Sequence, residues 1–133
     1  MSPEPTAAEQ QPGQTILVVE DDYWTRLLLH ELLEAHGYIA LQARDALEAY
    51  QIARDFQPNL ILMDIHLPEI SGLEAVRRIK QHTELCGIPV IAVTALAMKE
   101  DEQRIREGGC VEYLAKPFSS ATLIDTVRRC LAA

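Results

Sequence analysis

The chain has 133 residues, 48% of them hydrophobic and 24% charged, a size for one domain with a real core and a composition that excludes a disordered or fibrous protein. Twelve basic and twenty acidic residues give a formal charge of −8, which argues against nonspecific binding to nucleic-acid phosphates and favours cations or basic partners. No apolar run approaches the ~18 residues that insert across a bilayer.

Residues 1–13 are rich in Pro, Gln, Glu and Ala and carry no apolar period, which predicts a flexible tail. They also lack the basic and apolar regions of a signal peptide. The folded domain is expected over residues 14–133, in the cytoplasm. Ile16-Leu17-Val18-Val19 reads as a first strand, ending in Glu20-Asp21-Asp22. A helix follows, with Leu28, Leu29, Leu32 and Leu33 on its apolar face and Gly37 at its stop. Tyr38–Leu41 is a weaker strand. Ala46, Ala49, Tyr50, Ala53 and Phe56 mark the inner face of a second helix, closed by Pro58. Leu60–Met63 is a strand ending in Asp64. Ser71 and Glu74 predict a capping box that opens a third helix, with Leu73, Val76 and Ile79 inward. Val90–Val93 ends in Thr94. Met98 to Glu107 reads as a helix stopped by Gly108-Gly109, and Val111–Ala115 as a weak strand before Lys116. Ser119 or Ser120 caps a last helix carrying Leu123, Ile124, Val127 and Leu131. Strand and helix alternate five times, which implies a doubly wound α/β domain with a parallel sheet covered on both faces.

Cys86, Cys110 and Cys130 are odd in number and form no CxxC. They are expected to be small buried apolar residues in a reducing compartment, not a metal cluster or a disulfide framework.

In a doubly wound sheet the ligand site lies beyond the C-terminal strand ends. That rule gathers Glu20, Asp21, Asp22, Asp64, Thr94 and Lys116 around one crevice. Carboxylates about 4 Å apart repel by roughly 4 kcal/mol at an effective dielectric of 20, so such a cluster must hold a proton or bind a cation. Oxygen ligands without nearby Cys or paired His favour Mg2+ over zinc. A carboxylate nucleophile beside Mg2+, a Lys and a Thr suits phosphoryl transfer, with an aspartyl phosphate as product.

The segments VVEDD, LMDIHLP, VTA and YLAKPF, in this order and spacing, resemble the receiver domain of two-component response regulators. The resemblance covers about residues 15–132 and implies the CheY-like, flavodoxin-type (βα)5 fold with a five-stranded parallel sheet. It implies that Asp64 accepts a phosphoryl group from a histidine kinase or a histidine phosphotransfer protein. Asp21 would bind Mg2+ directly, and Glu20 directly or through water. Asp64 and the main-chain carbonyl of His66 would complete the ligands, with Asp22 a solvated loop charge. Thr94 would bond a phosphoryl oxygen and Lys116 would pair with it, across a cis Lys116-Pro117 bond. Tyr113 would turn inward when Thr94 moves toward the phosphate.

His66 stands where the family's side chains influence dephosphorylation, and Leu96, two residues past Thr94, cannot orient a water. Slow autodephosphorylation is expected. Tyr23, Trp24 and Leu27 lie beside the acidic loop, a place for a docking partner. His30, His36 and His82 read as helix-surface residues without metal spacing.

The expected function is a stand-alone response regulator, not an enzyme with turnover. Few residues follow the last helix, so signalling would run through contact with a downstream protein. Two alternatives are a receiver belonging to a hybrid histidine kinase and a Mg2+-dependent aspartyl-phosphate phosphatase of the haloacid-dehalogenase type. The phosphatase family wants a second Asp two positions after the nucleophile, where this chain has His66. Flavodoxin is disfavoured because three acids after the first strand would repel the FMN phosphate.

Overall fold

The computed structural model describes residues 13–95 and 99–132. Apart from Gly13, the expected tail lies outside them, as do Leu96 and Met98. The elements are β1 (Thr15–Val19), α1 (Tyr23–Ala35), β2 (Ile39–Ala43), α2 (Ala46–Phe56), β3 (Leu60–Asp64), α3 (Gly72–Gln81), β4 (Val90–Thr94), α4 (Lys99–Glu107), β5 (Glu112–Ala115) and α5 (Ser120–Ala132). All four strand pairs are parallel and the sheet order is β2-β1-β3-β4-β5.

The unbroken apolar strands feed two cores, because successive residues point to opposite faces. Ile16, Val18, Leu60, Leu62, Ile91 and Val93 pack with Leu29 and Leu33 of α1 and with Leu123, Ile124 and Val127 of α5. Leu17, Val19, Ile61, Met63, Val90 and Ala92 pack with Ala49 and Ala53 of α2, Val76 and Ile79 of α3, and Ile105 of α4. The chain winds one way from β1 to β2 and the other way from β3 onward. Right-handed crossovers then put α1 and α5 on one face and the other helices on the opposite one. The winding reverses between β1 and β3, and a crevice opens there beyond their C-terminal ends.

Several local expectations are corrected. Leu28 faces water, 58% exposed, and Arg26 takes the inward position at 9%. The buried stripe of α1 is 26-29-33, and Leu28 lies about 100° round the helix from Leu29. Phe56 is 62% exposed; it closes α2, where Gln57 turns the chain with a left-handed φ of 48°. Ser71 accepts the Glu74 amide at 3.2 Å, but the Glu74 carboxylate is held by Arg77 and Arg78, so only half of the capping box forms. Ser119, not Ser120, caps α5 through the Thr122 amide at 3.0 Å. Of the cysteines only Cys110 is buried; Cys130 is half-buried and Cys86 is exposed. His36 is a surface residue, whereas His30 and His82 are half-buried. β2 starts one residue later than expected and runs on to Ala43, and Val111 stays outside β5.

Candidate functional site

Ladder hydrogen bonds continue past the strand ends and fix the residues that line the crevice. Glu20 N donates to Ala43 O at 3.0 Å, Ile65 N to Val93 O at 3.1 Å, and Lys116 N to Thr94 O at 2.7 Å. Glu20, Asp64 and Thr94 are buried, whereas Asp21 is exposed. One carboxylate oxygen from each of Glu20, Asp21 and Asp64 lies within 4.8 Å of the others.

Two of these acids are held the same way. Glu20 Oε2 accepts the Asp22 amide at 3.1 Å, and Asp64 Oδ1 accepts the His66 amide at 2.9 Å. Their second oxygens face Lys116, whose Nζ is 2.9 Å from Glu20 Oε1 and 3.7 Å from Asp64 Oδ2. The main chain thus orients both carboxylates toward one ammonium. The Thr94 hydroxyl lies 3.4 Å from His66 Nε2, and the Lys116-Pro117 bond is cis.

Burial pushes the Glu20 carboxyl up to about 7, aided by the Asp64 charge and opposed by the bonds from Lys116 and the Asp22 amide. Burial also works against the charge on Lys116, but its bond to Glu20 and the nearby Asp64 charge outweigh it and raise its pKa. Three carboxylates against one ammonium leave the crevice short of positive charge. The donors are all oxygen, partly desolvated, and include a carboxyl that resists ionisation. That set suits a hard divalent cation.

A pH dependence follows. The folded Glu20 holds its proton more tightly than its ordinary value of 4.5, so between that value and about 7 the folded state binds more protons than the unfolded one. Stability in metal-free buffer therefore falls as pH rises through this window, by on the order of 2–3 kcal/mol at its top. Asp22 and Glu74, held below the usual range by Thr25 and by Arg77 and Arg78, titrate beneath it. Urea midpoints at pH 5 and pH 8 check this, and excess Mg2+ is expected to flatten the difference. A metal-free midpoint that climbs across the window contradicts it.

Other expected residues lie apart. The Asp22 carboxylate caps α1, accepting from Thr25 N at 2.9 Å and Thr25 Oγ1 at 2.7 Å. Tyr113 is half-buried on β5, in register with Ala92. Tyr23 and Trp24 open α1, 55% and 73% exposed, edge to face at 4.9 Å; Leu27 is half-buried beside them. Leu96 is outside the described residues. Sequence reasoning passed over Arg26, which bonds the main chain of the acidic loop, and Gln42, which bonds Arg26. A signal existed: Arg26 sits three residues before Leu29 and seven before Leu33, on the apolar stripe.

Comparison with known proteins agrees with this fold. The sequence profile of the response regulator receiver domain matches residues 16–128. The polar-differentiation response regulator DivK of Brucella anthropi is 50% identical over 115 residues, 86% of this chain and 94% of that protein; DivK of Brucella ovis matches to the same extent. The chemotaxis protein CheY4 of Vibrio cholerae superposes with a TM-score of 0.85 at 26% identity, over 89% of this chain and 98% of that one. The receiver domain of sensor histidine kinase PA1611 from Pseudomonas aeruginosa, with a magnesium ion coordinated in its active site cleft, superposes with a TM-score of 0.84 at 33% identity, over 91% and 99% of the two chains. The sheet order, the profile and the shared half of the DivK sequence converge: this chain belongs to the response regulator receiver family, the phosphoacceptors of two-component signalling.

Proposed function

We propose that Asp64 is the phosphoacceptor of a DivK-like regulator that takes its phosphoryl group from a histidine kinase or histidine phosphotransfer protein. The observation that carries the assignment is the orientation of one carboxylate. Asp64 ends β3 at the reversal of the sheet, with Oδ1 fixed by the His66 amide and Oδ2 turned toward Lys116. Oδ2 attacks phosphorus, the P–O bond forms, and the P–N bond of the phosphohistidine breaks with its electron pair going to the imidazole.

Glu20, Asp21, Asp64 and the His66 carbonyl would hold Mg2+, which supplies positive charge to the phosphoryl oxygens. Lys116 neutralises a further phosphoryl charge, and the Thr94 hydroxyl donates a hydrogen bond to it. Thr94 moving inward makes room for Tyr113. Reversing a 1:99 population takes about 5.5 kcal/mol, within reach of two or three charge-assisted bonds. Output runs through contact with a downstream protein in the cytoplasm. Chemistry ends at the chain's own phosphotransfer and a slow hydrolysis. Identity of 50% over 94% of DivK supports this reading over a kinase-borne receiver. The test is Mg2+-dependent labelling by phosphoramidate or acetyl phosphate, with Asp64→Asn as control.

The exposed pair Tyr23 and Trp24, with Leu27, is the docking place we assign to the phosphodonor protein. Trp24→Ala is expected to slow transfer from the cognate kinase about tenfold while small-donor labelling stays intact. Equal losses in the two assays would remove the docking role.

A further inference from the structure

Arg26 is 9% exposed, and among the described residues no carboxylate pairs with it. Its guanidinium is spent on neutral acceptors. Nη1 donates to Glu20 O at 2.9 Å and reaches Asp21 O at 3.5 Å. Nε donates to Gln42 Oε1 on the neighbouring β2 at 3.0 Å. Its central carbon lies 5.6 Å from the centre of the Tyr23 ring. A buried guanidinium is costly to desolvate; these bonds to neutral acceptors hold it in place, and the Asp22 carboxylate adds attraction at longer range.

The two carbonyls it touches bracket Asp21. The Glu20 carbonyl belongs to the peptide before Asp21 and the Asp21 carbonyl to the peptide after it, so one nitrogen, Nη1, bears on both planes while Nε anchors the same rigid guanidinium to Gln42. Those planes set the backbone angles of Asp21 and hence the direction of its side chain. Among the described residues no hydrogen bond or ion pair holds the Asp21 carboxylate itself. Glu20 and Asp64 are oriented through their oxygens; Asp21 is oriented through its backbone alone.

We propose that Arg26, steadied by Gln42, is a positioning residue for the cation site and aims the Asp21 carboxylate from behind. The inference rests on Glu20, Asp21 and Asp64 being the cation's ligands. Groups that orient metal ligands typically change affinity by ~10–100-fold when removed. The sign separates this role from a purely electrostatic one. Arg26 adds a positive charge near the site, so as a mere charge its removal would tighten Mg2+ binding.

The experiment is a titration with Mg2+ alone, followed by the amide NMR shifts of residues 20–22. Arg26→Met is expected to raise the Mg2+ midpoint about tenfold. Arg26→Lys, which keeps the charge and loses the fork, is expected to raise it as well. Gln42→Met, a milder change that leaves Arg26 in place, is expected to raise it about threefold and serves if Arg26→Met does not fold. At saturating Mg2+, phosphoramidate labelling of the variants should return to within about threefold of wild type, since positioning is then restored by mass action.

A tightened or unmoved midpoint in the folded variants overturns the proposal, as does Arg26→Lys matching wild type. Labelling lost at every Mg2+ concentration overturns it too. Wild type that binds no Mg2+ would instead sink the ligand assignment of the preceding section. Wild type that binds it beside an unaffected Arg26→Met sinks only the role of Arg26.

Discussion

Asp64→Asn is expected to lose phosphoryl incorporation by on the order of a thousandfold or more while the folded protein becomes more stable. An amide has the shape of the carboxylate but no anionic oxygen to attack phosphorus. The His66 amide can still bond the remaining carbonyl oxygen, so the β3 end keeps its geometry. The variant also removes one of three clustered negative charges, which relieves the repulsion on buried Glu20. Mass spectrometry after phosphoramidate treatment reads the first effect, and melting in metal-free buffer reads the second. Labelling retained in the variant would move the acceptor elsewhere and undo the assignment.

The second large effect sits behind Asp64. Gly72 opens α3 with its backbone against the end of β3: an added Cβ would stand 2.2 Å from the Asp64 carbonyl oxygen and 2.5 Å from the Ile65 Cα. Both are main-chain atoms, so no rotamer change relieves the contact, and Gly72 N is tied to Ile65 O at 3.1 Å. Gly72→Ala is therefore expected at or beyond the upper end of overpacking costs, about 3 kcal/mol, or a melting drop of roughly 10 °C. Relief of the clash has to shift either α3 or the Asp64 main chain, so labelling should fall in protein that remains folded. Melting unchanged from wild type would mean that the start of α3 has slack the packed geometry does not show.

Much of the site could be read from the chain because its signals are local. β1, β3 and β4 are apolar runs that stop at Glu20, Asp64 and Thr94, and a parallel sheet brings such stops to one edge. What could not be read depends on contacts between elements. Leu28 faces water and Arg26 takes an inward place that was not expected of it, because the side of α1 that meets the sheet is set by how the helix docks. The need for Gly72 comes from the approach of one backbone to another, which leaves no periodic trace. The capping role of Asp22 was local and legible in principle, but its place in an acidic run drew attention to charge instead of to the helix behind it. Lys116 was legible as a strand-end residue; that Glu20 receives its closest bond depended on how far the side chain reaches across the crevice.

That bond joins residues 96 positions apart, and it gives the site an order of birth. Synthesis proceeds at ~5–20 residues per second from the N-terminus, so the acids of β1 and β3 emerge seconds before their ammonium. Until β5 zips onto β4 and delivers Lys116, a nascent chain carries the three carboxylates without the cation that bonds Glu20. If Asp64 and Lys116 act as proposed, competence to receive a phosphoryl group would wait for β5. A ribosome-bound or truncated receiver lacking β5 would then be a poor decoy for the kinase, and quality control of the fold would double as quality control of the signal.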